Sequence, residues 1–364
     1  MIPWFRSYIP NKQKKEAFKL LSNNTLSENK LTFQFERKLS EKLNHKYIIA
    51  VNSGSISLLM CLMILNLNKK NDEVLIANRS WISTLHAVKI LKLKTIFIDV
   101  KKEKPIIDEN LIEKSISKNT KVLITVNRNG RFCDTKKINK IVKKYNLRLI
   151  EDNAQSIFSK DCNNKFINPK ADFTCFSFGP TKLINLGQGG AIVTKNSFYY
   201  KKILKFKYNG LIEKNKDQWD ELGFNFKYTD LQAAFGIVQL KYINKKKAKL
   251  KKIYNTYNKN LKNIKQINLI PIKPKNEIPI YAEVLCKKRK KLIEYLYSKG
   301  IEVKPFFKSL NDSPLANKSK FVSKKNNSNF FSNNGIWLPS GSDQSINNII
   351  KTCKYIRKFY DNFN

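Results

Sequence analysis

A short polar turn near residue 54 has the residue types of an anion-binding site. The segment AVNSGSISLLM places Ser53, Gly54 and Ser55 between an apolar run and the first turn of a predicted helix. The free N–H groups of a helix N-terminus, the helix dipole and two hydroxyls together favour a phosphate. Serine is also a common N-cap, and on its own this turn is better explained by capping.

A carboxylate and an amide stand at the end of a later strand. In LRLIEDNAQS, Asp152 and Gln155 follow an apolar run, so we expect them at the ligand-binding edge of a sheet. A carboxylate there can hold a heterocyclic nitrogen protonated, because a nearby negative charge raises the pKa of its partner. The alternative is a turn aspartate that caps the next helix, and this segment alone does not decide between the two.

The third candidate is Lys182, in the segment FSFGPTKLINLGQGGAIV. It lies in a loop between two runs predicted to be buried, and Gly187, Gly189 and Gly190 follow it. Glycines permit a close backbone approach or a positive φ angle. A lysine in an enclosed site loses proton affinity and becomes an amine nucleophile, whereas the alternative for any one of 62 lysines is exposure to solvent.

These three sites together match the contacts that pyridoxal 5′-phosphate (PLP) requires. A helix N-terminus can hold its phosphate, a carboxylate can hold its pyridine nitrogen, and a lysine can bind its aldehyde. Their joint occurrence is far more specific than any one of them. The sequence therefore predicts PLP as a cofactor, with Lys182 and Asp152 as the catalytic residues.

The elements that must position these residues are visible as β-rich runs that alternate with helical patterns. Continuous rather than alternating apolar runs indicate strands covered on both faces, as in a mainly parallel α/β sheet. The predicted strands span residues 47–51, 73–77, 95–100, 121–126, 147–152, 173–178 and 191–194, with helices from Ser55 and over 82–91. Such sheets bind ligands at the carboxyl ends of their strands, where segments 53–55, 78–81, 127–130 and 152–155 are expected.

The pattern changes after a long helix that begins near Thr229 and is expected to continue through the lysine-rich stretch 241–252. We expect a large PLP-binding domain over residues 1–240, whose N-terminal segment can pack on the other domain, and a small C-terminal domain over 241–364. The polar segment 316–335 is predicted to be a mobile surface loop.

Composition limits the class of protein. With 364 residues, of which 41% are apolar, the chain can bury a sizeable core, which excludes a disordered or disulfide-stapled miniprotein. A formal charge of +42 alone suggests nucleic acid or an anionic membrane as partner. Only eight of the 70 basic residues are arginine, however, and a selected phosphate-binding surface would favour the arginine fork. We interpret the charge mainly as compositional bias, with nucleic-acid binding kept as a rival hypothesis.

Cysteine and histidine usage predicts an intracellular protein without a metal. The six cysteines form no CxxC pair, and the two histidines complete no metal site with them at recognisable spacing. Reduced thiols fit the cytoplasm. The N-terminus lacks a signal-peptide pattern, and the longest nearly apolar run, residues 56–67, is about half of what spans a bilayer. We therefore expect a cytoplasmic location and no membrane partner.

The order of the motifs resembles the DegT-type (DegT/StrS) sugar aminotransferases, which are fold-type-I PLP-dependent transferases. The matching segments are SGS, EDNAQS, SFGPTK with GQGG, and GFNFKYTDLQAAFGIVQL. The resemblance extends from IPWFRSYI to GIEVKPFF and LPSG, essentially the whole chain. It implies an α/β fold in which a large domain, with a mainly parallel sheet flanked by helices, is joined to a smaller C-terminal α/β domain. GIEVKPFF is most similar to the perosamine-synthase-like branch.

Carried over to this chain, the resemblance implies a role for each cofactor-site residue. Lys182 would bind the cofactor covalently, Asp152 would pair with its ring nitrogen, and Gln155 would contact its ring hydroxyl.

The remaining matched positions concern the phosphate and the ring face. Gly54, Ser55 and Ser177 would bind the cofactor phosphate. Trp81 would stack on the ring, and a core or interface tryptophan is the alternative. Asn225 would reach the phosphate of the neighbouring subunit, which implies a homodimer with a shared active site.

Asn127, Asn129 and Lys227 depart from the family pattern, and the first two bear on the substrate. Asn127 and Asn129 stand where many relatives carry His and Tyr, so the sugar side of the pocket is left open. Lys227 replaces the usual Arg. Some relatives carry His in place of Lys182 and dehydrate sugars, whereas a lysine favours transamination.

The resemblance implies an aminotransferase that moves an amino group from L-glutamate to a nucleotide-linked keto sugar. The sharper expectation is an NDP-4-keto-6-deoxyhexose used for surface-glycan biosynthesis, such as lipopolysaccharide. Two alternatives stay open: a PLP-binding sugar dehydratase or regulatory sensor without transamination, and a basic nucleic-acid-binding protein.

Overall fold

The structure of the protein is a computed structural model. It describes residues 1–22, 26–68, 70–211, 219, 221–317, 319–323 and 326–362. Within these ranges, twelve strands form two sheets. The strands are β1 (Tyr47–Val51), β2 (Glu73–Ala77), β3 (Lys94–Ile98), β4 (Thr120–Val126), β5 (Arg148–Asp152), β6 (Phe173–Ser177), β7 (Gly190–Thr194), β8 (Ile267–Leu269), β9 (Ala282–Cys286), β10 (Lys304–Pro305), β11 (Lys320–Val322) and β12 (Gly335–Leu338).

The helices flank both sheets, and their apolar residues recur at helical spacing. In the segment TKKINKIVKK, for example, Ile138 and Ile141 are buried while Lys140, which lies between them, is exposed. No helix in the described part of the chain is long and apolar enough to cross a membrane. The helices are α1 (Asn11–Ser22), α2 (Lys30–Leu43), α3 (Gly54–Ile64), α4 (Ser83–Ile90), α5 (Ile112–Ser115), α6 (Thr135–Lys144), α7 (Ser197–Lys207), α8 (Asp230–Lys241), α9 (Ile243–Leu261), α10 (Arg289–Ser298), α11 (Asn327–Asn334) and α12 (Ile346–Asp361).

The larger sheet has eight strands in the order β1-β7-β6-β5-β4-β2-β3-β11. Its strands from β6 to β11 run parallel to one another, whereas β7 is antiparallel to both β1 and β6. Apolar clusters cover both faces, which explains the continuous apolar runs of these strands. The prediction of a mainly parallel α/β sheet is confirmed, and every predicted strand overlaps an observed one, with ends that differ by at most two residues.

The smaller sheet is antiparallel, in the order β10-β12-β9-β8. Helices α9, α10 and α12 pack on it through an apolar cluster that includes Ile253, Leu292 and Ile356. The N-terminal segment joins this part of the molecule, because Ile2 forms a β-bridge with Ile301. The domain division at residue 240 stays a prediction, since β11 belongs to the larger sheet although it lies far beyond that position.

Two local predictions were wrong. The segment 316–335 was expected to be a mobile loop, but it contains β11 and α11. Buried Asp99 stabilises this segment by accepting hydrogen bonds from the N–H groups of Asn327 and Ser328 at 2.8 and 2.9 Å, at the N-terminus of α11. The long helix from Thr229 also does not continue unbroken, because α8 ends at Lys241 and α9 begins at Ile243.

Candidate active site

A cavity of about 870 Å³ lies at the carboxyl ends of the parallel strands. It receives residues that directly follow β1, β2, β4, β5 and β6, and a second wall comes from residues around β10 and β12. Most of the predicted cofactor-site residues meet there. Those that line the cavity are Gly54, Ser55, Trp81, Asp152, Gln155, Ser177 and Lys182.

The turn after β1 combines a cap with an open helix N-terminus. Ser53 is the N-cap of α3, and its hydroxyl accepts a hydrogen bond from the N–H of Ile56 at 3.2 Å. The capping interpretation is therefore correct for Ser53. The first N–H groups of α3 have no partner within the helix, and Gly54 and Ser55, which carry them, line the cavity.

Gly54 cannot be replaced without moving the end of β6. A Cβ atom built on Gly54 would lie 2.7 Å from the Cβ of Ser177. The absence of a side chain thus lets the helix N-terminus and the Ser177 hydroxyl approach the same point. The hydroxyls of Ser55 and Ser177 and the N-terminus of α3 make this corner of the cavity suited to a phosphate.

Asp152 is the last residue of β5 and is buried. Its carboxylate accepts hydrogen bonds from the N–H of Ala154 at 3.0 Å and from the hydroxyl of Thr84 at 3.3 Å. Burial raises the pKa of Asp152, and these two hydrogen bonds together with the charge of Lys182 oppose that rise. A carboxylate in this position would gain from a cationic partner such as a protonated ring nitrogen.

Lys182 lies in the loop between β6 and β7. Its residue surface is half-buried because the side chain faces the cavity. Burial of the amine lowers the pKa of Lys182 to about 8, a value that includes an opposing rise from the charge of Asp152 and a further fall from the charge of Arg128. Near pH 8, about half of the amine is therefore uncharged, as a nucleophile or a base requires.

The loop that carries Lys182 is fixed from two sides. The hydroxyl of Tyr281 donates to the carbonyl of Thr181 at 3.0 Å, and the amine of Lys246 donates to the carbonyl of Leu183 at 3.1 Å. Further along the loop, Gly189 has a φ of 129°, and a Cβ there would lie 2.8 Å from the ring of Tyr228. The backbone on both sides of Lys182 is thus held by residues from distant parts of the chain.

Two predicted residues lie at the periphery. Trp81 lines the cavity with 53% of its surface exposed and packs edge-to-face on Phe307, so it is not a core residue. Asn225 is exposed and does not line the cavity; it pairs with Tyr208 in an isolated β-bridge.

Arg128 lines the cavity and is not among the site residues predicted from the sequence. Its neighbours Asn127 and Asn129, which were expected on the sugar side of the pocket, bond inward instead: the side-chain amide of Asn127 donates to Asn153 at 2.6 Å, and that of Asn129 to the carbonyl of Tyr281 at 3.0 Å. The available signal was a charged residue directly after a buried strand, within the segment 127–130.

The fold and the site together define a class of protein. A mainly parallel sheet whose strand ends present a helix N-terminus, a buried carboxylate and an enclosed lysine is the arrangement of a PLP-dependent aminotransferase of fold type I. The residues present also fit this cofactor, because Gly54 leaves space beside Ser177 and the donor set matches a phosphate, a ring nitrogen and an aldehyde.

The chain matches the DegT/DnrJ/EryC1/StrS aminotransferase family over residues 8–357 and belongs to that family. The predicted resemblance is confirmed, and the protein is a PLP-dependent aminotransferase.

Two individual proteins show how similar the chain is to relatives with a stated activity. The GDP-perosamine synthase of Escherichia coli O157:H7 is 28% identical over 363 residues, which cover 99% of this chain and 98% of that protein. The dTDP-4-amino-4,6-dideoxy-D-glucose transaminase of Shigella dysenteriae is 30% identical over 243 residues, 67% of this chain and 64% of that protein.

Solved structures show the same fold. Helicobacter pylori PseC, an aminotransferase involved in the biosynthesis of pseudoaminic acid, superposes with a TM-score of 0.92 at 22% identity and covers 99% of both chains. The E. coli GDP-4-keto-6-deoxy-D-mannose-3-dehydratase with bound hydrated PLP has a TM-score of 0.88 at 22% identity over 98% of this chain and 99% of that chain. The same fold thus serves both an aminotransferase and a dehydratase.

Proposed function

We propose that this protein transfers the amino group of L-glutamate to a nucleotide-linked keto sugar, specifically an NDP-4-keto-6-deoxyhexose, for the biosynthesis of a surface glycan. The perosamine synthase of E. coli O157:H7 supports this choice through its match over nearly the whole length of both chains. The observation that carries the proposal is that Lys182 and Asp152 lie in one enclosed cavity and shift each other's pKa.

The chemistry that PLP supplies when bound is electron withdrawal, which acidifies the C–H bond next to the donor's amine. In our proposal, Asp152 holds the ring nitrogen protonated. The amine of Lys182 would take the proton from the donor's Cα and deliver it to the cofactor carbon that carries the aldehyde, and the same residue would reverse these steps on the sugar. A lowered pKa suits this exchange, because a base near pH 8 can both accept and release the proton.

The other residues position the cofactor. Gly54, Ser55 and Ser177 would hold the phosphate at the N-terminus of α3. The amide oxygen of Gln155 accepts a hydrogen bond from the N–H of Asn129 at 3.1 Å, which orients its NH₂ group as the donor to a ring hydroxyl. Trp81 would cover the ring from the mouth of the cavity.

The main alternative is a sugar dehydratase on the same fold, for which the E. coli dehydratase structure is a precedent. The presence of lysine at position 182 favours amino transfer, because a lysine can bind the cofactor and release it to the donor. Nucleic-acid binding has no support beyond the formal charge.

We also propose a homodimer with a shared active site, in which Asn225 reaches the neighbouring subunit's cofactor. Large apolar side chains near Asn225 support this proposal, since Leu222 is 70% exposed and Phe224 41% exposed. The two inactive variants Lys182→Ala and Asn225→Ala test it. Mixed subunits should regain activity in about a quarter of the sites, because a mixed dimer contains one intact site. No recovery after subunit exchange would contradict a shared site.

A cytoplasmic location forms part of the proposal. All six cysteines are free of disulfide bonds in the structure, which is expected of a reducing compartment.

The absorbance spectrum of the PLP-loaded protein tests the function directly. L-Glutamate alone should remove the visible band of the lysine-bound cofactor and produce the pyridoxamine band. A 4-keto-6-deoxyhexose linked to a nucleotide should then restore the first band, and a panel of such sugars identifies the substrate. A band that glutamate leaves unchanged would point to another donor or to the dehydratase alternative.

A further inference from the structure

Beside the cavity, a buried cluster of charged residues connects the segments after β2 and β4 to strand β9. Three arginines and one carboxylate, each at most 4% exposed, meet there. They are Arg79, Arg128, Arg131 and Glu283. A buried cation is costly unless an anion compensates it, so three cations around one carboxylate leave a deficit of negative charge in this part of the described structure.

Glu283 is largely committed to another arginine. Its carboxylate lies 2.5 Å from Nη1 of Arg131 and accepts a hydrogen bond from the indole of Trp337 at 3.0 Å. The distance from Glu283 to Nε of Arg128 is longer, 3.6 Å, and this Nε has no hydrogen-bond partner among the described residues. Arg128 is therefore the incompletely compensated member of the pair.

The guanidinium of Arg79 is hydrogen-bonded to uncharged oxygens of the described residues rather than to a carboxylate. Its Nη1 donates to the carbonyl of Phe307 at 3.0 Å and to the hydroxyl of Ser332 at 2.6 Å. Burial and the charge of Arg128 together lower the pKa of Arg79 to about 9, although the charge of Glu283 opposes this fall. The two guanidinium groups thus repel each other, and Glu283 alone does not offset them.

Arg128 is the arginine of this cluster that lines the cavity. Its guanidinium lies 5.5 Å from the ring centroid of Phe306 and 5.6 Å from that of Trp337, so the side chain packs against both aromatic rings. Its charge also lowers the pKa of Lys182, which places the guanidinium within electrostatic reach of the reacting amine.

We propose that Arg128 binds the α-carboxylate of the amino-acid donor. The proposal rests on the function proposed above, in which Lys182 removes a proton from the donor's Cα. The α-carboxylate is bonded to that same carbon, so it must lie close to the amine of Lys182. The planar fork of arginine matches a carboxylate through two parallel hydrogen bonds, and this bound anion supplies the charge that Glu283 does not.

The nucleotide diphosphate of the sugar is a less suitable partner for Arg128. Lys304 and Lys308 line the same cavity and are exposed, as expected of residues at its mouth. A bulky diphosphate can reach these lysines, whereas Arg128 is buried near the reacting amine. The other carboxylate that would suit Arg128 is one on the sugar ring. The two half-reactions distinguish these ligands, because the donor's carboxylate takes part only in the glutamate half-reaction and a sugar carboxylate only in the keto-sugar half-reaction.

The test compares Arg128→Gln with Arg148→Gln in the PLP-loaded protein. Arg148 is a matched control, because it pairs with Asp172 on the surface at the opposite end of β5 from Asp152. Rapid-mixing spectroscopy follows the glutamate half-reaction and the keto-sugar half-reaction separately. Calorimetry measures the binding of 2-oxoglutarate, which carries the same carboxylate.

Arg128→Gln should raise the L-glutamate concentration for half-maximal rate by about 10- to 100-fold, as expected for loss of a charge-assisted hydrogen bond. It should weaken 2-oxoglutarate binding equally and change the keto-sugar half-reaction far less, because there Arg128 acts only through the pKa of Lys182. Arg148→Gln should change none of these values. Arg128→Lys, which keeps the charge without the fork, should lie between wild type and Arg128→Gln, and it carries the test if Arg128→Gln fails to fold.

Unchanged glutamate saturation and unchanged 2-oxoglutarate binding in Arg128→Gln would overturn the proposal. A defect confined to the keto-sugar half-reaction would also overturn it and assign the carboxylate to the sugar. If the wild-type protein transfers no amino group, the proposed function fails separately, and the calorimetric comparison still decides whether Arg128 binds a carboxylate.

Discussion

Lys182 and Lys246 are two lysines with a lowered pKa in very different surroundings. The side chain of Lys182 faces a cavity that also contains Asp152, and its pKa is about 8. Lys246, on α9, is 1% exposed, and burial alone lowers its pKa to about 7. Its amine donates to the carbonyl of Leu183 and to the side-chain oxygen of Gln239.

The comparison shows that a lowered pKa does not by itself identify a catalytic lysine. The pKa of Lys246 is lowered at least as strongly as that of Lys182, yet oxygens of the chain already accept hydrogen bonds from its amine. Lys182 combines a lowered pKa with a carboxylate and open space in front of the amine. Access to a ligand, rather than desolvation, separates the two, and Lys246 serves to hold the loop next to Lys182.

The largest expected effect comes from Lys182→Ala. Loss of the amine removes the group that we propose to move the proton, so kcat should fall by about 10³-fold or more. The visible band of the lysine-bound cofactor should disappear. In the control variant Lys246→Met the band should remain. Loss of the band in both variants would contradict the proposal that only Lys182 of these two lysines binds the cofactor.

Asp152→Asn should have the next largest effect, a fall in kcat of about 10²-fold, because a neutral amide does not hold the ring nitrogen protonated. The charge of Asp152 also raises the pKa of Lys182, so in the variant that pKa should move below about 8. The rate of acylation of Lys182 against pH in cofactor-free protein measures this shift. A wild-type turnover rate would show that the assigned role is wrong.

Lys246→Met should change the pH dependence of stability. The pKa of Lys246 is about 7 in the folded protein and 10.5 ordinarily, so between these values the unfolded chain binds one more proton than the folded chain. The contribution of Lys246 to the free energy of unfolding therefore rises with pH, by ~1.4 kcal/mol per pH unit, and is smallest below pH 7.

Urea unfolding of wild type and Lys246→Met at a series of pH values measures this difference. The wild-type free energy minus that of the variant should increase between pH 7 and 10. Parallel curves would mean that Lys246 stays protonated in the folded protein.

The smallest effect is expected from Thr84→Val, which removes the 3.3 Å hydrogen bond to Asp152. That bond lowers the pKa of Asp152, so the variant should hold the ring nitrogen less firmly and lose about 3-fold in cofactor affinity. Equilibrium dialysis of PLP measures the change. Thr84→Ser keeps the hydroxyl and should behave as wild type; an equal loss in both variants would assign the effect to packing.

Features of the fold that lie in one stretch of sequence could be predicted. The buried strands β1 to β7 appear as continuous apolar runs, and most of the proposed cofactor-site residues lie within a few residues of the end of such a run. Gly54 and Lys182 could be identified because the chemistry of their segments is local to the sequence.

Features that depend on distant segments could not be predicted. The burial of Arg128 requires Glu283 and Trp337, which lie more than 150 positions further along the chain. The helix α11 is stabilised by Asp99, 228 residues before Asn327. Local composition alone predicts a loop for a polar sequence such as 316–335, because the residue that stabilises it lies in a distant segment.

Strand β11 limits how the molecule can open. The chain leaves the smaller sheet after β10, forms β11 beside β3 in the larger sheet, and returns to the smaller sheet as β12. A hinge rotation of one sheet against the other would have to break the β3–β11 ladder and the hydrogen bonds of Asp99 to α11. Substrate access is therefore expected to depend on side chains and loops at the cavity mouth, such as Trp81 and Phe307, and not on wholesale domain closure.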